Sequence, residues 1–400
     1  MIKFELLNNN QYKFDDKIIK AAELASMISS GAIENLLKLD PDYTKDIFFE
    51  TKIDLSNIPK TSPISTIQSI YFGAPGTGKS FNITKQVKKY YPDYNEKQNT
   101  NKNIFRTTIH SEYSYYDFIG NILPVSENNV IDYKFVPGVF TKALFRAYQT
   151  ENPVFLIMEE MSRGNIAAIF GDLFQLLDRD LEGNSDYSIN HSIICDYIKK
   201  TIEDDDISLS SEIINTVNNN SIYLPANLHI LGSVNTSDQN VFAMDTAFKR
   251  RFQMEYVSLN VVTDENGNPL NNGYIKIGSL TSTWCEFYPL LNKFIIEIMQ
   301  HSEDKQLGQF FLRFKDESNY DFSNCTKEQI ARIKMDIDNW NKSQVVDKLL
   351  LYLWQDIEKS NYKNKKLFSS DIKSFTRLIE KAQYTNENLF SDDFLSFFDL

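Results

Sequence analysis

The run Gly73-Ala74-Pro75-Gly76-Thr77-Gly78-Lys79-Ser80 decides the reading of this chain. It matches G-x-x-x-x-G-K-S, the pattern of a loop that wraps phosphate. Its surroundings suit that chemistry: Ser69-Ile70-Tyr71-Phe72 reads as a short strand entering the loop, and Lys79 to Tyr90 reads as a helix leaving it. Glycines let successive backbone N–H groups point at the β- and γ-phosphates, and the helix N-terminus adds the positive end of its dipole. Lys79 is expected to neutralise phosphate charge, and the Ser80 hydroxyl to ligate Mg²⁺. The expected nucleotide-binding set is Gly73, Ala74, Pro75, Gly76, Thr77, Gly78, Lys79 and Ser80, with Phe81 directly behind.

Further strands follow. Val154-Phe155-Leu156-Ile157-Met158 is apolar on both faces, as in the centre of a parallel sheet, and His229-Ile230-Leu231-Gly232-Ser233-Val234 is a similar run. Helical stretches lie between them, so the chain reads as an α/β layered fold. Polar residues at the strand ends supply the remaining candidates. Glu159 and Glu160 close the second strand; one carboxylate can hold the Mg²⁺ hydration shell and the other can activate water. We assign Glu159 to the metal and Glu160 to the water. Asn235, in Val234-Asn235-Thr236-Ser237-Asp238, can reach the γ-phosphate or the attacking water; turn formation is the plainer role for such residues. Lys249-Arg250-Arg251 offers an arginine that can neutralise charge on a transferred phosphoryl group, often from a neighbouring subunit. Arg250 and Arg251 are equal candidates at this level; the plainer role is a basic helix end.

These motifs, in this order, resemble the AAA+ nucleoside triphosphatases of the McrB type, the motor subunit of modification-dependent restriction systems. The runs that carry the resemblance are GAPGTGKS, IHSEYSYYDFIG, VPGVF, EEMSRGNIAAIFGDLFQLLDRD, LPANLHILGSVNTSDQNVFAMDTAFKRRF and EDKQLGQFF. They cover residues 67 to 258 well and 285 to 357 more loosely. The resemblance implies an AAA+ core at 63–258, a helical lid and C-terminal region at 259–400, and a ring, a hexamer, with nucleotide between subunits and Arg250 or Arg251 reaching the neighbour's γ-phosphate. It also implies a separate McrC-like nuclease subunit. Glu159 stands where Asp is usual, Ser162 where Asn is frequent, and Gln239 where the restriction motor has Arg. These departures leave ATP and GTP both open. Glu159 and Ser162 also keep alive a module in which nucleotide binding only switches assembly, and the net charge of −12 suits a MoxR-like remodeller that does not act on DNA at least as well.

The rest of the sequence sets bounds. The 400 residues carry a formal net charge of −12, so DNA is not expected to be held by a globally basic surface. Lys85, Lys88 and Lys89 form one small basic cluster and Lys363, Lys365 and Lys366 another, both expected to be solvated. Cys195, Cys285 and Cys325 lie far apart in no metal-ligand spacing, which suits a reducing cytoplasm. No apolar run approaches the roughly 18 residues that a membrane span needs, and MIKFELLNNN turns polar too early for a signal peptide. Residues 1–62 are expected to form a small accessory region. A helix should open at Asp15 and Asp16 and run through Ile18, Ile19, Ala22 and Leu24; a second should lie around Ile33 to Leu37, ahead of a linker at Ser56 to Thr66. The polar stretch from Leu181 to Tyr223 reads as an insertion or hairpin decorating the core, and the chain from Ser282 onward as mainly helical.

Overall fold

The computed structural model describes residues 4–7, 11–14, 17–20, 66–127, 130–236, 244–323, 325–360 and 365–398. The chain divides into two compact units, Met1–Ser62 and Pro63–Leu400.

In the first unit, Phe4–Leu7, Gln11–Phe14 and Lys17–Lys20 form an antiparallel sheet in sequence order. This corrects the helix expected at Ile18 and Ile19. Phe14 pairs with Lys17, so Asp15 and Asp16 fall between consecutive strands. Asp suits a tight turn as well as a helix cap, and adjacent β-branched residues favour the extended chain. The expected helix at Ile33 to Leu37, most of the linker, Ser237 to Gln239 and Lys363 lie outside the described residues.

The second unit is built on five parallel strands: β1 (Gln68–Gly73), β2 (Ile104–Thr108), β3 (Val154–Glu159), β4 (Leu228–Asn235) and β5 (Gln253–Tyr256). Their order across the sheet is β5-β1-β4-β3-β2. The inner strand β3, flanked by β4 and β2, is buried at every position, which explains its unbroken apolar run. Its side chains alternate between two cores. Phe155 and Ile157 join Ile83 and Val87 of helix α1 (Lys79–Lys88) on one face. Leu156 and Met158 join Phe140 and Leu144 of helix α2 (Val139–Tyr148) on the other. Helices on both faces of a parallel sheet make this the α/β layered class expected from the sequence.

His229 anchors the start of β4. It is fully buried, stacks on Phe155 at 4.8 Å, and its Nδ1 accepts a hydrogen bond from the Ile67 N–H at 2.9 Å. Burial, aided by the nearby Arg179 charge, pushes its pKa down from 6.5 to about 4. Above pH 6.5 the ring is neutral folded or unfolded, and stability is full. Below it the unfolded chain takes up the proton first. Acidification from pH 6.5 to 4 should therefore cost about 3 kcal/mol through this residue. Denaturant melts of the unaltered chain and of His229→Phe across that window check this: the pH slope should shrink in the variant, and an unchanged slope would assign it elsewhere.

Three regions depart from expectation. Residues 181–223 do not merely decorate the core: Ser192–Asp205 and Ser211–Asn218 are helices whose Ile194, Cys195, Ile198 and Val217 are buried within it. The acidic and Asn-rich residues lie on the faces and ends of these helices and hid that stripe. Gly120–Glu127 and Val130–Pro137 form a hairpin that the sequence reading did not contain. A second hairpin, Tyr274–Ile277 with Leu280–Thr283, includes Ser282, where helix was expected to begin. The alternation of exposed Tyr274 and Lys276 with buried Ile275 and Ile277 marks the first of its strands. Helices follow, among them Trp284–Lys293, Lys327–Ser343, Phe375–Tyr384 and Asp392–Phe397. They enclose a separate core of Trp284, Phe287, Phe294, Leu349, Phe390 and Phe394. Phe394 anchors the last of these helices in it.

Candidate nucleotide site

The loop of residues 73–80 leaves the C-terminal end of β1 and turns into α1. Gly76 and Gly78 have φ of +77° and +94°, a backbone that glycine adopts without strain. Gly78 caps α1, and the first helical turn carries no acid that would oppose an anion. The Lys79 ammonium is buried under the loop, donating to the carbonyls of Gly73 at 3.0 Å and Ala74 at 2.8 Å. Thr77 Oγ1 donates to the Ala74 carbonyl at 3.0 Å. Phe81 is exposed on the next turn and faces Phe310, with ring centroids 6.5 Å apart.

Strand register brings the other candidates to the same edge. Asn235 of β4 lies beside Gly73, and Gly232 beside Met158, so the ends of β1, β4 and β3 align. Glu159 is buried, and its carboxylate accepts from Ser80 Oγ at 3.1 Å, from Ser233 Oγ, and from the Arg106 guanidinium. Glu160 sits in the left-handed region at φ 57°, ψ 40°. For a residue other than glycine this costs on the order of 1–3 kcal/mol, and such strain gathers at functional sites. Here it turns the carboxylate off the strand axis. Its backbone N–H donates to Ser233 Oγ at 3.1 Å. Its carboxylate accepts from Asn235 Nδ2 at 2.7 Å and pairs with Arg163 at 3.1 Å. These groups border one cleft of about 630 Å³, lined by Gly76, Lys79, Ser80, Glu160 and Asn235, and closed from the C-terminal region by Phe310, Arg313 and Phe314.

The two arginines separate. Arg251 is turned inward: it pairs with Asp178 at 2.5 Å, donates to the Ala247 carbonyl at 2.9 Å, and stacks over Phe174 at 4.0 Å. Its side chain is only 8% exposed, so its charge is spent within its own chain. Arg250 is exposed. The two follow the end of a short helix, Thr246–Lys249, and there adjacent residues point in different directions, which their identical chemistry cannot reveal.

Four residues at the site went unnoticed in the sequence. Ser233 touches both acids; its position two residues before Asn235, on the same strand face, was the available signal. Arg106 is a charged residue inside β2 whose partner lies 53 positions away. Gly308 and Phe310 reach the loop from the far end of the chain, with their N–H groups donating to the Pro75 carbonyl at 2.9 Å and the Gly76 carbonyl at 2.7 Å.

A parallel sheet of this order, a phosphate loop at its carboxyl edge and an acid pair at the adjacent strand end define a P-loop nucleoside triphosphatase with an AAA+ core. No family model matches the chain. It is 31% identical over 363 residues to the Type II restriction enzyme BsuMI component YdiS of Bacillus subtilis, covering 83% of this chain and 93% of that one. It is 28% identical over 240 residues to the Type IV methyl-directed restriction enzyme EcoKMcrB subunit of Escherichia coli, covering 59% of this chain and 46% of that one, so it spans about half of that relative. A Cytophaga hutchinsonii crystal structure assigned as an ATPase superposes over 72% of this chain and 58% of its own, at 11% identity and a TM-score of 0.25, too loosely to bear on fold or activity. The chain belongs to the McrB-like AAA+ family of restriction proteins.

Proposed function

We propose that this chain hydrolyses ATP or GTP with Mg²⁺ and works as a homo-oligomeric ring, a hexamer, in a cytoplasmic restriction system, alongside a nuclease subunit encoded separately. The observation that carries the reading is the convergence of Lys79, Ser80, Glu160 and Asn235 on one cleft, with Glu159 hydrogen-bonded to Ser80. The relatives' names support the setting, since one is a restriction enzyme component and the other a restriction enzyme subunit. On this reading residues 63–258 are the motor core, 259–400 the lid, and 1–62 an accessory region.

Ser80 and Glu159 suit Mg²⁺: a hydroxyl and a carboxylate lie 3.1 Å apart at the foot of the loop, both hard oxygen donors. Held by Ser80 and Glu159, the ion would supply positive charge that offsets the charge of the phosphates. Ser233 and Arg106 hold the Glu159 carboxylate in place. Lys79 and the loop amides bind the phosphates. Water attacks the γ-phosphorus in line as the bond to the bridging oxygen of the β-phosphate breaks. Glu160 accepts the water's proton, and Asn235 holds the Glu160 carboxylate toward it. Arg250 of the adjacent subunit supplies the remaining positive charge.

A second reading, a nucleotide-switched assembly module, draws on the ties of Glu160 to Asn235 and Arg163, which hold the carboxylate before any water is engaged. Turnover measured against protein concentration separates the two. A working ring gains specific activity steeply on assembly; a switch stays near zero while binding nucleotide tightly. In the same assay EDTA should abolish turnover, and Lys79→Ala should lower it by about 100-fold or more through lost phosphate contacts. Turnover indifferent to Lys79→Ala would remove the loop from the mechanism. Running ATP and GTP in parallel, with and without DNA, settles the base and the coupling.

A further inference from the structure

We propose that the backbone of Leu307 to Phe311, carried by the C-terminal region, is a strap that orients the phosphate-loop amides, with Gly308 and Phe310 as positioning residues for triphosphate binding. This rests on the reading of residues 73–80 as the phosphate loop. The strap works through peptide geometry. The Pro75 carbonyl accepts from the Gly308 N–H and the Gly76 carbonyl from the Phe310 N–H. A trans peptide is planar, and its C=O and N–H point in opposite directions. No peptide bond is cis among the described residues. Pinning those two carbonyls to the strap therefore turns the N–H groups of Gly76 and Thr77 away from it, toward the side where a loop-bound polyphosphate needs donors.

The strap is itself held. Gly308 to Phe311 closes a turn, with the Phe311 N–H donating to the Gly308 carbonyl at 3.0 Å. Gly308 and Phe310 face the loop, while Leu307 and Gln309 are tied into the C-terminal core. The Leu307 carbonyl accepts from Asn292 Nδ2 at 2.7 Å, and its N–H donates to Asn292 Oδ1 at 2.8 Å. Gln309 is 2% exposed; its Oε1 accepts from the Val262 N–H at 2.6 Å, and its own carbonyl accepts from Trp284 Nε1 at 2.7 Å and Asn271 Nδ2 at 2.9 Å.

The approach also explains a glycine. Gly308 is absent from the positive-φ residues, so its backbone tolerates a side chain. A Cβ there would lie 2.3 Å from both the Gly76 carbonyl carbon and the Thr77 nitrogen. Its lack of a side chain serves proximity to the loop. A Gly-rich loop otherwise has many conformations to lose on binding phosphate; a strap that removes them beforehand raises affinity by preorganisation.

The test compares the full chain with Gly308→Ala, which wedges strap from loop. KM for the Mg-nucleoside triphosphate should rise about tenfold, with kcat at saturation within about threefold, the signature of lost binding shared by ground and transition states. Inorganic triphosphate, read as a competitive inhibitor, should weaken by the same factor, because the strap acts on phosphate donors and not on the base. Asn292→Ala, which frees Leu307 without a wedge, should move both constants in the same direction if Gly308→Ala fails to fold. Hydrogen exchange on the unaltered chain needs no variant: the Gly308 and Phe310 amides should be protected with and without nucleotide. An unchanged KM in a folded variant, a loss confined to the nucleotide and spared for inorganic triphosphate, or free exchange at both amides would each overturn the strap. Lys79→Ala separates the underlying reading, since normal triphosphate affinity in that variant would reject the phosphate loop itself.

Discussion

Glu160→Gln should leave nucleotide binding within about threefold of normal and cut turnover by about 100-fold or more, the range for loss of a positioned general base. Glutamine keeps the side chain's length, and its carbonyl can still accept from Asn235, which donates to the carboxylate at 2.7 Å. It can no longer accept the proton of the attacking water. The neighbouring ion pair with Arg163 is half-exposed, so its loss costs little stability. The left-handed backbone at Glu160 is unaffected by the exchange, because the two residues have the same branching. Single-turnover hydrolysis beside equilibrium binding checks this. Retained turnover would leave the γ-phosphate to be attacked without this base; lost binding would mean that Glu160 supports the cleft and not the chemistry.

Arg250→Ala and Arg251→Ala should fail in different ways, although the residues are adjacent. Arg250 is exposed, so its removal should leave the melting temperature unchanged and lower turnover by about 1000-fold, the scale of a finger supplied in trans. Arg251 is the reverse. Its loss strands Asp178, uncovers Phe174 and leaves the Ala247 carbonyl without that donor, at a cost on the order of 3 kcal/mol. Thermal melts and turnover of both variants give the contrast. A mixing experiment adds the subunit question. Glu160→Gln subunits retain the arginine and Arg250→Ala subunits retain the base, so a mixed ring should recover part of the activity that neither has alone. No recovery, in rings shown to have mixed, would place the arginine's action within its own chain.

Much of the site could be read before the fold was known, for a physical reason. A phosphate loop is contiguous: its strand, its glycines, its lysine and its helix dipole all fall within residues 68–88, so the spacing itself reports the chemistry. Glu159, Glu160 and Asn235 were found by one step more, because parallel strands align their C-terminal ends and a polar residue that ends an apolar strand arrives at that edge. The N-terminal region shows the opposite case. Two aspartates before a pair of isoleucines suit a helix cap or a turn equally well, and pairing with the preceding strand made Lys17–Lys20 a strand.

The sequence by itself determined the class of fold, the glycine-rich loop between a strand and a helix, and the acids and amide at the neighbouring strand ends, because each depends on local periodicity or contiguous spacing. Only the tertiary structure decided which arginine is turned inward, which serine joins the two acids, and that Gly308 and Phe310 reach back to Pro75 and Gly76. Those are backbone and side-chain meetings between segments as much as 234 positions apart (76 to 310), and their partners are set by packing, which leaves no period in the chain to be read.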